Sequence, residues 1–203
     1  MLIINPKRIN ETIEVKPFWY NYYAGYSHTF TQKIIESAKL SEGAVILDPW
    51  NGAGTTTLMS SVNGFQSMGI DLNPVMRVIA SAKQATKDNL EFVTSRLSMI
   101  NANIRVSIRN DDPLGDWFNV KAIESIRKIE KCILGEYLYT STTEKVLSLT
   151  PAQCLMFTAL FNCVRTYLTN FIPSNPTWIK KPKSHAEKVD ISWAKFKRQY
   201  VSY

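Results

Sequence analysis

Apolar positions in this 203-residue chain fall into two short blocks followed by long helical periods. Val45-Ile46-Leu47 is a continuous run of β-favouring residues closed by an acid, Asp48. Gly52-Ala53-Gly54 then breaks the pattern, and a helix-compatible run follows over 55–63. A second apolar unit spans 66–71 and also ends in an acid, Asp71. The order is strand, glycine turn, helix, strand. Downstream, Met76, Val78, Ile79, Ala82, Ala85, Leu90, Phe92, Val93, Leu97 and Ile100 recur at spacings near three and four, so 74–103 is expected to be helical. Asn73-Pro74 suits its start, with proline near the first position. Two further helices are expected over 119–134, with Val120, Ile123, Ile126, Ile129 and Ile133 on one face, and over 151–171, opened by Thr150 as N-cap and Pro151. Upstream, Thr29 or Thr31 is expected to cap a helix over 32–39 that Ser41 and Gly43 end. Between the helices, 105–110 gives one weak strand signal and 111–116 reads as a loop.

The first 75 residues also carry candidate chemistry. A strand, glycine turn, helix and second strand tipped by an acid is the layout of a nucleoside-binding βαβ unit. Gly52 and Gly54 allow a tight turn and close approach of a ligand to the backbone. Asp71 is placed to accept two hydrogen bonds from a ribose diol. The turn reads G-A-G-T-T-T, without the third glycine of a dinucleotide site, and Asp48 just before it would repel a pyrophosphate. An acid there suits a ligand with an ammonium group and no phosphate. S-adenosylmethionine, with its ammonium, sulfonium and ribose diol, meets that description. The competing reading is a purely structural βα turn.

The run Asp48-Pro49-Trp50-Asn51-Gly52-Ala53-Gly54-Thr55-Thr56 resembles the D-P-F-x-G-x-G-T-T motif of DNA amino-methyltransferases, which act on adenine N6 or cytosine N4. Gly69-Ile70-Asp71-Leu72-Asn73-Pro74 resembles their G-[IV]-[DE]-x-N-P segment. Tyr26-Ser27-His28-Thr29-Phe30-Thr31 resembles the aromatic-and-hydroxyl segment that closes over the methionine end of the cofactor. The resemblance covers about residues 17–80. It implies an α/β, Rossmann-like methyltransferase fold, complete or not, that takes S-adenosyl-L-methionine. The cofactor residues implied are Phe30, Asp48, Pro49, Asn51, Gly52, Gly54, Thr55, Thr56, Asp71 and Asn73, with Asp48 and the glycine turn at the methionine end, Asp71 at the ribose and Phe30 lining the pocket.

Beyond residue 83 the family pattern fades. The expected division is a cofactor half over 1–83, a helical insertion over 84–172 and a basic segment over 173–203. An amino-methyltransferase also needs a [DNS]-P-P-[YFW] motif, whose first side chain and a backbone carbonyl accept hydrogen bonds from the exocyclic amine and whose ring stacks on a flipped base. Here only Ser174-Asn175-Pro176-Thr177-Trp178 approaches it, with Thr177 in place of the second proline. Asn175, Pro176 and Trp178 are therefore the catalytic candidates. The preferred expectation is a truncated or split enzyme whose S/D-P-P-Y half lies on a second polypeptide. The alternatives are a catalytically inactive module that binds nucleic acid or a partner, and an RNA amino-methyltransferase that uses residues 175–178.

The bulk numbers fit this picture. A net charge of +7 is compatible with DNA as partner, in a restriction-modification or phage-defence setting. Over 179–203 the cations Lys180, Lys181, Lys183, Lys188, Lys195, Lys197 and Arg198 alternate with Trp193 and Tyr200. They read either as phosphate contacts or as a solvated, poorly packed end. Three cysteines without a CxxC pair argue for a reducing compartment, and two histidines give no zinc pattern. No apolar run is long enough for a membrane span and the N-terminus is too polar for a signal peptide, so a cytoplasmic location is expected.

Overall fold

A computed structural model describes residues 6, 25–135, 143–174 and 179–203. Two parallel strands, β1 (Val45–Asp48) and β2 (Gln66–Gly69), pair with Val45 beside Gln66 and Asp48 beside Gly69. They are the only strands among the described residues. Among the described residues eight α-helices accompany them: α1 (His28–Ser37), α2 (Thr55–Val62), α3 (Pro74–Ala82), α4 (Leu90–Ser98), α5 (Val120–Leu134), α6 (Thr143–Ser148), α7 (Pro151–Thr166) and α8 (Trp193–Val201). The architecture thus mixes helices with a small parallel sheet.

Local chemistry sets several boundaries differently from the sequence pattern. Helix α1 begins at His28, because Ser27 is extended and its hydroxyl accepts from the Phe30 amide at 3.0 Å. Thr31, an expected cap, lies inside the helix and its hydroxyl donates to the Ser27 carbonyl. The span 74–103 is not one helix. Thr86 and Asn89 form a reciprocal cap at the start of a 3-10 turn, Lys87–Asn89, so the backbone leaves the helix after Ala82 and re-enters it at Leu90. Helix α7 opens at Thr150 and Pro151 as expected, with Gln153 completing a capping box, but it stops at Thr166 and a 3-10 turn, Thr169–Phe171, follows. Gly135 ends α5 in the left-handed conformation.

No strand forms over 105–110. The alternation is real, for Ile104 and Ile108 pack against the core while Arg105 and Arg109 face out. What is missing is a partner strand: the carbonyls of Ala102 and Arg105 accept instead from the Lys128 and Lys131 ammonium groups of α5. The alternating pattern specifies which side chains turn inward, whereas a ladder also needs a second extended segment.

The main apolar core joins α3, α5, α7 and α8. Val78 and Ala82, Ile126, Ile129 and Ile133, Met156 and Leu160, and Phe196 and Tyr200 belong to one cluster. Residues 193–201 are therefore a packed helix and not a loose end: Phe196 is fully buried and the Tyr200 hydroxyl donates to the Met156 carbonyl at 3.1 Å. All three cysteines are buried thiols, and burial pushes each thiol pKa up, to about 12 for Cys163. Disulfide-exchange reagent at pH 8 should therefore label none of them rapidly in the native protein and all three after unfolding. Fast labelling of one native thiol would contradict this packing.

Candidate functional site

The two acids that end the apolar runs stand at the tips of neighbouring strands. Asp48 is the last residue of β1, paired with Gly69 in β2, and Asp71 follows two residues beyond Gly69. Between them the turn 49–54 crosses the sheet tip, tied there by the Asn51 amide, which donates to the Ile70 carbonyl at 2.9 Å. Asn51 packs directly on Gly69, where a Cβ would come within 2.4 Å of the Asn51 side chain. Its side-chain oxygen also accepts from the Thr57 hydroxyl.

Both carboxylates are engaged by the turn they bracket. Asp48 is largely buried and accepts from the Trp50 amide at 3.0 Å and from the Tyr26 hydroxyl at 2.9 Å. Asp71 is exposed and accepts from the Gly52 amide at 2.9 Å and the Asn73 amide at 2.8 Å. A carboxylate offers about four acceptor positions, so each acid keeps capacity for a ligand donor beside these two bonds. Asn73 also caps α3, its side-chain oxygen accepting from the Val75 amide.

Gly52 and Gly54 adopt φ of +49° and +78°, the left-handed region that side chains avoid. At Gly54 there is a second constraint. A Cβ there would lie 2.6 Å from the Ala80 Cβ, so the glycine lets the turn sit directly on α3. Gly54 is also the N-cap of α2 and supplies no side-chain cap to its first amides. Thr55, which begins α2, is buried, and Thr56 is half-buried with its hydroxyl against that of Tyr26. Pro49 is exposed beside Trp50. Phe30 meets Tyr26 edge-on, with ring centroids 6.1 Å apart.

The turn, both acids, Thr55, Thr56 and Asn73 are thus gathered at the tip of the sheet, with Phe30 reaching it through Tyr26. Residues 175–178, which hold the catalytic candidates Asn175, Pro176 and Trp178, lie outside the described residues. Sequence reasoning placed Tyr26 in a family segment but gave it no role of its own. Its hydroxyl bridges Asp48 and Thr56, and burial is the main cause that raises its pKa, so it is a neutral donor at physiological pH. Only the 22-residue separation of Tyr26 from Asp48 hid the pairing. A concavity of about 550 Å³ lies elsewhere, among residues 108–123, His185 and Lys188. Among the described residues no group of His, Cys, Asp and Glu is arranged to hold a metal ion, and no helix is long and apolar enough to cross a membrane.

In comparison with known proteins, the chain is similar to Type II methyltransferases. M.BsoBI of Geobacillus stearothermophilus is 40% identical over 65 residues, which are 32% of this chain and 13% of that protein. M.MjaII of Methanocaldococcus jannaschii is 27% identical over 137 residues, which are 61% of this chain and 25% of that protein. The matches thus span a quarter or less of either relative's length. No protein-family model matches the chain. No solved structure matches it either.

Proposed function

We propose that this chain is the cofactor-binding part of a Rossmann-like enzyme that methylates exocyclic amines of DNA bases, adenine N6 or cytosine N4, with S-adenosyl-L-methionine as donor. One observation carries the proposal: two carboxylates at adjacent parallel strand tips bracket a left-handed glycine turn, in a chain similar to Type II methyltransferases. The donor set fits the cofactor. Asp71, exposed at the β2 tip, is placed for a ribose diol, and Asp48 for an ammonium group. Gly52 and Gly54 leave room for the methionine chain, with Pro49, Asn51, Thr55 and Thr56 shaping the turn, Asn73 holding the Asp71 loop and Phe30 as an apolar wall.

The bound cofactor supplies an electrophilic methyl group on a sulfonium. The protein's task is then to hold that centre still and in line with the amine, since the amine is a weak nucleophile and orientation is what lowers the barrier. Residues 175–178 supply an acceptor, a proline and an aromatic. The preferred base-holding group is nevertheless an S/D-P-P-Y motif outside these 203 residues. DNA is favoured over RNA by the resemblance, and α8 presents Lys195 and Arg198 to solvent for phosphate contact.

Calorimetric titration with S-adenosyl-L-methionine should show one site. Asp71→Ala and Asp48→Ala should each weaken it by about tenfold to a hundredfold, the size expected when a charged acceptor is removed. Thermal melts of both variants separate lost binding from lost folding, because both acids also hold the turn. A wild-type chain that releases no heat, or variants that bind as well as it does, would refute the reading. Labelled methyl transfer to DNA should require an S/D-P-P-Y segment in addition to these 203 residues.

A further inference from the structure

Asp48 and Asp71 are held in different ways. Asp71 accepts from two backbone amides, those of Gly52 and Asn73, at an exposed position. Asp48 is largely buried, and its two oxygens take one donor each: Oδ1 the Trp50 amide at 3.0 Å and Oδ2 the Tyr26 hydroxyl at 2.9 Å. The proton inventory sets the direction of the remaining bond. A phenol has one proton and an ionised carboxylate can only accept, so Tyr26 donates to Asp48. The Thr56 hydroxyl, which also contacts the Tyr26 oxygen, is then the donor of that pair. A chain of hydroxyls thus runs from Thr56 in the first turn of α2, through Tyr26, to Asp48 at the tip of β1.

Tyr26 is itself anchored. Ser27, the next residue, is buried; its amide donates to the Pro6 carbonyl at 2.9 Å and its hydroxyl caps α1. Phe30 sets its ring edge-on against the Tyr26 ring, and α1 packs on α2. The terminal torsion of an aspartate is a broad two-fold rotor. A donor on each oxygen removes that freedom before a ligand arrives, which lowers the ordering cost of binding. The phenol and the amide are neutral, so they orient the carboxylate without cancelling its charge. Asp112 is the contrast, because the Arg127 guanidinium offsets its charge. We infer that Tyr26 is a positioning residue for recognition of the cofactor's amino-acid end: its hydroxyl, backed by Thr56, presents the Asp48 carboxylate to the ammonium group. The inference rests on the proposed methyltransferase reading and deepens it by stating which part of the cofactor the hydroxyl chain reads. The ribose is left to Asp71, so the two ends of the cofactor should respond separately to loss of the phenolic oxygen.

The test titrates two ligands, S-adenosyl-L-methionine and methylthioadenosine, which keeps the nucleoside and the methylthio group but lacks the amino-acid moiety. Tyr26→Phe retains the ring and removes the hydroxyl alone. It should weaken S-adenosyl-L-methionine by about threefold to thirtyfold, the span of couplings within one hydrogen-bond network, and leave the affinity for methylthioadenosine unchanged. In the Asp48→Ala background, Tyr26→Phe should bring no further loss, because the hydroxyl acts through that acid. This double-mutant cycle decides the matter even where methylthioadenosine is held too weakly to titrate. Three results would overturn the inference. Equal losses for both ligands would mark a merely structural role. Undiminished binding of S-adenosyl-L-methionine would mark no role. A full further loss on top of Asp48→Ala would show that the hydroxyl does not act through the acid. Each of these, with the native chain binding S-adenosyl-L-methionine, leaves the functional reading standing. A native chain that binds neither ligand sinks that reading and this inference with it.

Discussion

Arg127→Met will destabilise the protein by about 3–5 kcal/mol, the range observed when one partner of a buried ion pair is removed. Arg127 lies on α5, buried together with Asp112 and Glu130. Its guanidinium donates from Nε and Nη2 to the two Asp112 oxygens at 2.9 and 2.7 Å, and from Nη1 to Glu130 at 2.5 Å. Asp112 also caps the 3-10 turn Pro113–Asp116, accepting from the Leu114 amide at 3.0 Å. The arginine therefore fastens the 111–116 loop to the centre of α5. Methionine fills much of the volume but leaves two buried carboxylates without that counter-charge, and desolvation then dominates. Urea denaturation measures the loss. Arg109→Met breaks a pair with Asp111 that is open to water. It is the control and should shift the midpoint little, because solvent screens exposed pairs. Equal shifts for the two variants would show that burial is not what gives the triad its weight.

Gly54→Ala is expected to have the second large effect, about 2–5 kcal/mol, from the left-handed backbone together with overpacking. The two contributions can be separated, because Gly43 has the same φ of +78° and nothing within 4 Å of its would-be Cβ. Gly43→Ala should therefore show the backbone cost alone, about 1–2 kcal/mol. The excess at Gly54 measures the collision with Ala80, whose Cα would stand 2.9 Å away in the α3 backbone. Relief requires α3 to move away from the turn, which displaces Asn73 and the Asp71 loop at its start. Under the proposed function, Gly54→Ala then also weakens cofactor binding and Gly43→Ala does not. Identical losses in urea would mean that the turn does not rest on α3.

Much of the strand-tip site was legible in the residues because its parts are local. A β-favouring apolar run closed by an acid, a glycine pair and an Asn-Pro helix start each act within a few positions, so spacing alone orders them. Asn73 caps α3 and Pro74 begins it, as the dipeptide suggests. Helix α5 was likewise readable from its period, and the start of α7 from Thr150 and Pro151, though not its end at Thr166. The false strand at 105–110 and the over-long helix through 83–86 share a cause. Periodicity reports which side of a segment is buried, and it does so equally well for a segment that has no ladder partner or that breaks at a capping threonine.

By itself the sequence determined which residues stand together at the end of β1 and β2, because each is placed by neighbours within a few bonds or by the glycine that only one backbone region accommodates. Tertiary structure alone decided what crosses the chain: Tyr26 on Asp48, Ala80 beneath Gly54, Arg127 between Asp112 and Glu130, and α8 packed into the core. Contacts of this kind depend on how elements are brought together in space, and a linear pattern of apolar and polar positions carries the orientation of each element but not the identity of its neighbour.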